Sequence, residues 1–387
     1  MSLFFWKGAF RFEIEKNSEY YGIETKRRVY CTTGKMIREM NASHLSRTMT
    51  ALILMLAVSA VCLLLFSGRV RTKFIGLISE AISSKTSFMP NARGLKDASG
   101  RIISEAVNLS GIHDLTISGR AIAGGAVPAI TLNNCYNIRI TGNKLFNSTD
   151  VGIHLFRCTN ITIDHNYFTN VSTGVYVQQT SGGGIVVTHN QFLNMKGPMP
   201  RGQFVQFDHL NGPGCSISHN RGENIPGKSN PEDAINLYMS NGTAISPITV
   251  AGNWIRGGGP SKTGGGIVLG DAGGSYQVAE NNVLINPGQY GIGIAAGTNL
   301  RILNNKIYAA KNSFTNVGIT IWNQYTNTSS CALIVVRGNQ VNWTNSNGVS
   351  NPAWNNGNCG TIEGWGENSW NARINPAILP AVMITSK

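Results

Sequence analysis

The chain has 387 residues, of which 45 are glycine and only 13% are charged, with a formal net charge of +13. Residues 1–79 hold 12 Lys+Arg against 5 Asp+Glu, and the remainder 20 against 14, so half of the basicity belongs to a leader. The remainder is only mildly basic and carries no recognisable nucleic-acid motif, which excludes a nucleic-acid partner as the first reading.

Residues 1–48 read as a basic leader, with Met36 as an alternative start. The apolar run Ala51–Phe66, ALILMLAVSAVCLLLF, falls between a secretory core and a full membrane span of ~20 residues. Segment 49–68 is therefore expected to be a signal anchor or signal peptide, with the membrane as a partner. Nine Lys+Arg before Thr48 against three just after the run keep the amino-terminal side inside and send the rest out of the cytoplasm. Residues 69–108 read as a linker and an amino-terminal cap. Within them Phe74–Lys85, FIGLISEAISSK, has the helical spacing of a short amphipathic cap.

A repeat then begins. NIRITGNKLFNSTDVGIHL from Asn137 returns as NITIDHNYFTNVSTGVYV from Asn160: an alternating strand, a turn with asparagine, an Asx-rich bend and another strand. The turn asparagines align as Asn143, Asn166, Asn190, Asn220, Asn253, Asn281, Asn305 and Asn339. Repeats of this length mark a solenoid, and the period-two apolar pattern makes its coils strands rather than helices. Although the length alone allows two or three domains, a solenoid grows coil by coil as one. Stacked coils place the amides above one another at ~4.8 Å, each bonding its neighbours.

This asparagine pattern resembles the ladder of right-handed parallel β-helices, the pectate-lyase-like superfamily. The resemblance implies an all-β, single-stranded right-handed parallel β-helix of about nine or ten coils over residues 109–341. Residues 342–387, with Trp343, Trp354, Trp365 and Trp370, are expected to form an irregular carboxyl-terminal cap and tail. The superfamily carries lyases, hydrolases, epimerases and binding proteins alike, so the resemblance speaks for fold rather than activity. ITIDHNYF resembles the pectate-lyase IDH strand, but THN and SHN recur at the register of DHN, so Asp164-His165 reads as repeat structure. The RxPxxR, GHG and DPHD signatures of individual enzyme families are missing.

Cysteines fit export. Cys135 and Cys158 lie one coil apart, within disulfide reach at ~4.8 Å, either bridged or stacked as free buried thiols. Cys331 and Cys359 are candidates for a second bridge.

Strand alternation turns one column outward as His154, Tyr176, Gln206, Asn236, Val268 and Gly293. The next is Phe156, Gln178, Asp208, Tyr238, Gly270 and Ala295. Polar residues fill the middle coils, which places a site across His154–Tyr238. Insertions at 196–202, 223–233 and 256–266 rise beside it, carrying Lys196, Arg201, Lys228, Arg256 and Lys262. A polar floor with a cationic wall suits an acidic polysaccharide.

The resulting expectation is an exported polysaccharide lyase or uronate epimerase. Arg201, Asp208, His209 and Lys228 are its catalytic candidates, with Tyr238 as another base. His154, Tyr176, Gln178, Gln206, Asn236, Tyr238 and Lys262 are expected to bind substrate. A non-catalytic glycan-binding solenoid is one alternative. Another is a hydrolase, which needs two carboxyls roughly 5–9.5 Å apart. On a flat sheet Asp208 and Asp233 would lie ~16 Å apart, which weakens that pair unless the loop folds back, and Glu232 and Asp271 are spare candidates with no better case. Calcium is an optional cofactor, with Asp233 and Asp271 as candidate ligands.

Overall fold

The computed structural model describes residues 95–385 and the short strands Phe10–Arg11 and Tyr30–Cys31, which pair antiparallel. The expected membrane segment 49–68 and the helical cap at Phe74–Lys85 lie outside the described residues. Among those described there is no α-helix, only two 3-10 turns, and no helix long and apolar enough to cross a membrane.

From Ile102 to Trp370 the chain is a stack of β coils, most contributing three strands, while in one coil the single strand Ile267–Glu280 fills two of the three positions. Every strand pairs parallel with its equivalent one coil on, for example Ile153–Phe156 with Val175–Gln178, and Thr159–Asp164 with Ile185–Thr188. One face is an eleven-stranded sheet ending at Ser369–Trp370. Strand pairing therefore continues past residue 341 into the segment expected to be irregular.

Alternation explains the core. Ile153 and Leu155 are fully buried while the alternating His154 and Phe156 are not, so one row of apolar side chains fills the interior. Phe168 stacks on Phe192 at 4.7 Å inside the stack. Trp343 is fully buried and Trp365 and Trp370 pack at the end of the same core.

The asparagine ladder joins the coils. Asn166 donates through its backbone N–H and Nδ2 to Asn190 Oδ1 at 2.9 and 3.0 Å, and Nδ2 also reaches Ile140 O at 2.8 Å. The pattern runs from Asn143 to Asn368, but its member in the sixth coil is Asn282, not Asn281. Asn281 instead takes the left-handed turn position just before the ladder, at φ 54°, where His165, His189 and His219 sit in other coils. Asparagine suits both places, so the adjacent pair is ambiguous by type alone.

Cys331 and Cys359 are bridged, with Cα atoms 4.6 Å apart. Cys135 and Cys158 are not; both are free and buried. Each thiol turns inward to a backbone carbonyl of the preceding coil, Cys135 Sγ to Leu109 O and Cys158 Sγ to Leu132 O, so the sulfurs stack as a second ladder.

After the last coil the tail runs back along the outside of the eleven-stranded sheet. Asn342 donates to Ile374 O, Arg256 to the carbonyls of Pro380 and Ala381, and Arg221 to Met383 O, while Gln191 exchanges hydrogen bonds with Thr385. Leu379 and Met383 bury themselves against Ile285, beside Trp254 and Tyr308.

Candidate functional site

The outward columns align largely as alternation dictates. His154, Tyr176, Gln206, Asn236, Val268 and Gly293 are register partners in succession, as are Phe156, Gln178, Asp208 and Tyr238. At the next coil the second column departs from expectation. Asn236 pairs with Val268 but Tyr238 pairs with Asp271, so the strand Ile267–Glu280 carries an extra residue. This bulge needs Gly270, at φ 63°, where an added Cβ would sit 1.9 Å from Ala296 O. It moves Gly270 out of the column and brings Asp271 in.

The middle coils differ in a second way. Tyr176, Gln206 and Asn236 point outward yet are buried at 6, 9 and 4% exposure. The insertions roof them over and leave a cleft of about 970 Å³ running from Tyr176 to Trp354. The cleft thus extends four coils beyond the Asn236 row, further toward the carboxyl end than the His154–Tyr238 stretch.

At its heart two carboxyls share one amide. Asn236 Nδ2 donates to Asp233 Oδ2 at 3.0 Å and to Asp271 Oδ2 at 2.8 Å, so those oxygens are no more than about 6 Å apart. Asp233 Oδ1 also accepts from Gly265 N–H at 3.0 Å and from the Tyr290 hydroxyl. Tyr325 Oη donates to Asp271 Oδ1 at 2.7 Å. Burial pushes the Asp233 carboxyl up to about 6; the bonds from Tyr290 and Asn236 pull against that rise and the Asp271 charge adds to it. Burial, then the facing carboxylates, holds the Tyr290 hydroxyl well above its ordinary range, and burial followed by the Asp271 bond does the same for Tyr325, so both remain donors. Asn236 Oδ1 is buried without a partner, a free acceptor on the cleft floor.

The wide separation expected for Asp208 and Asp233 is therefore beside the point: the partner of Asp233 is Asp271, delivered by a bulge that alternation alone does not reveal. The shared amide also bears on calcium. An N–H donor sits between the two carboxylates, where a cation would have to be, and among the described residues no three His, Cys, Asp or Glu side chains form a metal-holding group.

Asp208 lines the cleft, accepting from the Tyr176 hydroxyl and contacting His209 Nδ1 at 2.5 Å. Adjacent strand residues diverge, but His209 stands at φ 55°, off the strand, which swings its ring back to Asp208. His209 itself is outside the cleft lining. Arg201 lies over the Tyr176 ring, 3.8 Å from its centroid, and donates to Gln206 Oε1 at 2.7 Å. Burial raises the Tyr176 hydroxyl, with Asp208 adding to the rise.

Among the remaining candidates, Gln206, Asn236, Tyr238 and Lys262 line the cleft. His154, Gln178 and Lys228 do not. His154 stacks on Tyr176 with its Nε2 buried and unpartnered, and burial lowers its basicity. Gln178 stands beside Asp208 in register. The Lys228 carbonyl accepts from Lys196 Nζ at 2.6 Å.

The cationic wall is accordingly thin. Arg256 pairs with Glu223 on the eleven-stranded face, under the tail, and only Arg201 and Lys262 of the five insertion bases reach the cleft. Against them stand Asp208, Glu232, Asp233 and Asp271. Asp164-His165 is repeat structure: Asp164 pairs with Arg139 at 2.6 Å, and His165, His189 and His219 stack in sequence at 5.3 and 5.1 Å.

The right handed beta helix region family matches residues 101–203. No curated protein sequence matches the chain. Among solved structures it is similar to the tailspike protein of Acinetobacter baumannii phage AM24, at 12% identity and TM-score 0.42, covering 75% of this chain and 48% of that one. It is also similar to a tailspike protein of E. coli bacteriophage HK620 in complex with pentasaccharide, at 12% and 0.40, covering 65% and 57%. The A-module of Azotobacter vinelandii mannuronan C-5 epimerase AlgE4 stands at 13% and 0.22, covering 70% and 86%. The chain spans about half the length of the tailspikes it matches. With its parallel coils, asparagine ladder and matched region, the chain is a right-handed parallel β-helix protein.

Proposed function

We propose that this protein is a retaining glycoside hydrolase that cuts a glycan lying in the cleft. One observation carries the reading: Asp233 and Asp271 face each other across a single amide, at a separation short of the ~6.5–9.5 Å used for inversion and compatible with the ~5–5.5 Å of retention. Their environments divide the roles. Asp233, pushed up to about 6, holds a proton on Oδ2 in mildly acidic solution and gives it to the glycosidic oxygen. Asp271, fixed by Tyr325 and Asn236, attacks the anomeric carbon as the bond to that oxygen breaks. Water then attacks the glycosyl ester, its proton passes to the Asp233 carboxylate, and Asp271 is released unchanged.

The lyase or epimerase reading has less support. Of its candidate bases His209 and Lys228 lie outside the cleft lining and only Tyr238 reaches it, while four carboxyls against Arg201 and Lys262 repel a polyuronate. The Cys331–Cys359 bridge supports an oxidising location, in keeping with an exported chain anchored through Ala51–Phe66.

The test incubates the full chain with a panel of neutral and uronate-containing polysaccharides and tracks reducing ends, absorbance near 235 nm and the anomer first released. Reducing ends with a retained anomer, lost by about a thousandfold or more in Asp233→Asn and Asp271→Asn, are expected. New absorbance at 235 nm would replace this reading with β-elimination. Binding without either signal and without a change in uronate composition would leave a glycan-binding solenoid.

A further inference from the structure

The cleft changes character along its length. Every charged side chain in its lining, including Arg201, Lys262 and the four carboxyls, belongs to the half at or before the Asp271 coil. Beyond it the lining is uncharged: Gln289, Asn316, Gln324 and Asn351 supply amides, and Trp322 and Trp354 close the far end. The floor between is low. Register carries the column from Val268 through Gly293 and Thr320 to Trp354, and at Gly293 a Cβ would come within 3.2 Å of both Thr320 and Tyr290.

Trp354 belongs to the segment whose tryptophans read from sequence as a cap, and Trp343 is indeed fully buried in the core. Trp322 and Trp354 behave differently. They are 42 and 43% exposed, meet edge to face with centroids 6.0 Å apart, and turn toward the cleft. Two large apolar surfaces left open at one end of a polar trench are costly in water unless something covers them. The C–H face of a pyranose is apolar and flat, while its hydroxyls point sideways, where the cleft offers amides.

We propose that Trp322 and Trp354 form a stacking shelf for uncharged sugar rings, so that the cleft takes an extended neutral glycan segment and cleaves within the chain. The shelf stands two coils beyond the Val268 row at Trp322 and three at Trp354, ~10 to ~14 Å away at ~4.8 Å per coil, a span filled by several rings rather than one. This rests on the hydrolase reading for cleavage, but not for binding.

Two measurements separate them. Neutral hexasaccharides of the cello-, malto-, manno- and chito- series, with their disaccharides, are titrated against the Asp271→Asn chain by calorimetry, and turned over by the parent chain. The Trp322→Ala and Trp354→Ala changes are then made in both. At least one hexasaccharide is expected to bind, with affinity falling about tenfold in either alanine variant, the scale of one lost aromatic contact. The ratio of hexasaccharide to disaccharide kcat/KM is expected to fall by a similar factor, with Trp354→Phe restoring most of it. Tryptophan-dependent binding without any cleavage would uphold the shelf and sink the hydrolase. Cleavage whose chain-length dependence is unchanged within about twofold in both variants would overturn the shelf and leave the hydrolase standing. No binding across the neutral panel would also overturn it.

Discussion

Replacing Asp233 by Asn removes a proton-binding group from a nearly buried position, and the consequence for stability has a definite sign. The unfolded carboxyl titrates near 3.8 and the folded one near 6. Below pH 3.8 both states are protonated. Between the two values the folded chain keeps a proton that the unfolded chain has released, so stability falls as pH rises through this window, and the loss is complete above about 6. A shift of about two units corresponds to about 3 kcal/mol. Urea unfolding of parent and Asp233→Asn between pH 4 and pH 7 measures this, because carboxyls remote from Asp233 cancel in the difference and what remains is Asp233 with its coupling to Asp271. Any fixed cost of fitting an amide between Gly265, Tyr290 and Asn236 shifts the whole difference curve without tilting it. The variant should gain about 2.4 kcal/mol relative to the parent between pH 4 and pH 7, the rest of the shift lying below pH 4. A difference that stays flat across the window would refute the buried, protonated Asp233 and, with it, the assignment of the acid.

Three further outcomes are expected. Gly270→Ala places a methyl 1.9 Å from Ala296 O at a left-handed φ, so it should cost about 1–3 kcal/mol or more in urea unfolding and abolish glycan cleavage by displacing Asp271. Asn220→Ala leaves the Asn190 N–H and the Val187 carbonyl without partners in the interior, a loss of about 3 kcal/mol or more by the same measurement. Reduction of Cys331–Cys359, which closes a 28-residue separation, should lower stability by about 3–4 kcal/mol, read as a shift in urea midpoint with and without dithiothreitol.

The coils were legible because their signal is repeated: period-two alternation, a turn asparagine and a spacing near one coil recur until chance is excluded. The same redundancy fixed the outward columns as far as Tyr238. It failed where a single residue breaks the repeat. Nothing in GIVLGDAGG distinguishes a regular strand from one bulged at Gly270, and that one-residue slip decides whether Gly270 or Asp271 faces the cleft. Asp233 reads from sequence as a carboxyl to be paired with Asp208, because the bulge that brings Asp271 beside it lies in the following coil. The insertion bases mislead for a related reason. Sequence position tells that a loop rises beside a sheet, not which way its lysines and arginines turn, and Arg256 turns to the opposite face. Free and bridged cysteines likewise look alike at one-coil spacing, and in the fold Cys135 and Cys158 stay free, each thiol turned to a carbonyl of the preceding coil.

The returning tail alters how the stack should come apart. A simple pile of coils has only nearest-neighbour coupling, so its end coils fray one by one and local opening is graded along the axis. Here residues 374–385 touch coils from Asn342 back to Gln191, and peeling the last coil away also tugs on Arg256, Arg221 and Gln191 several layers below. Hydrogen exchange in the coils between should therefore open as one block rather than as a gradient, and the cleft those coils floor gains the rigidity of a closed clasp.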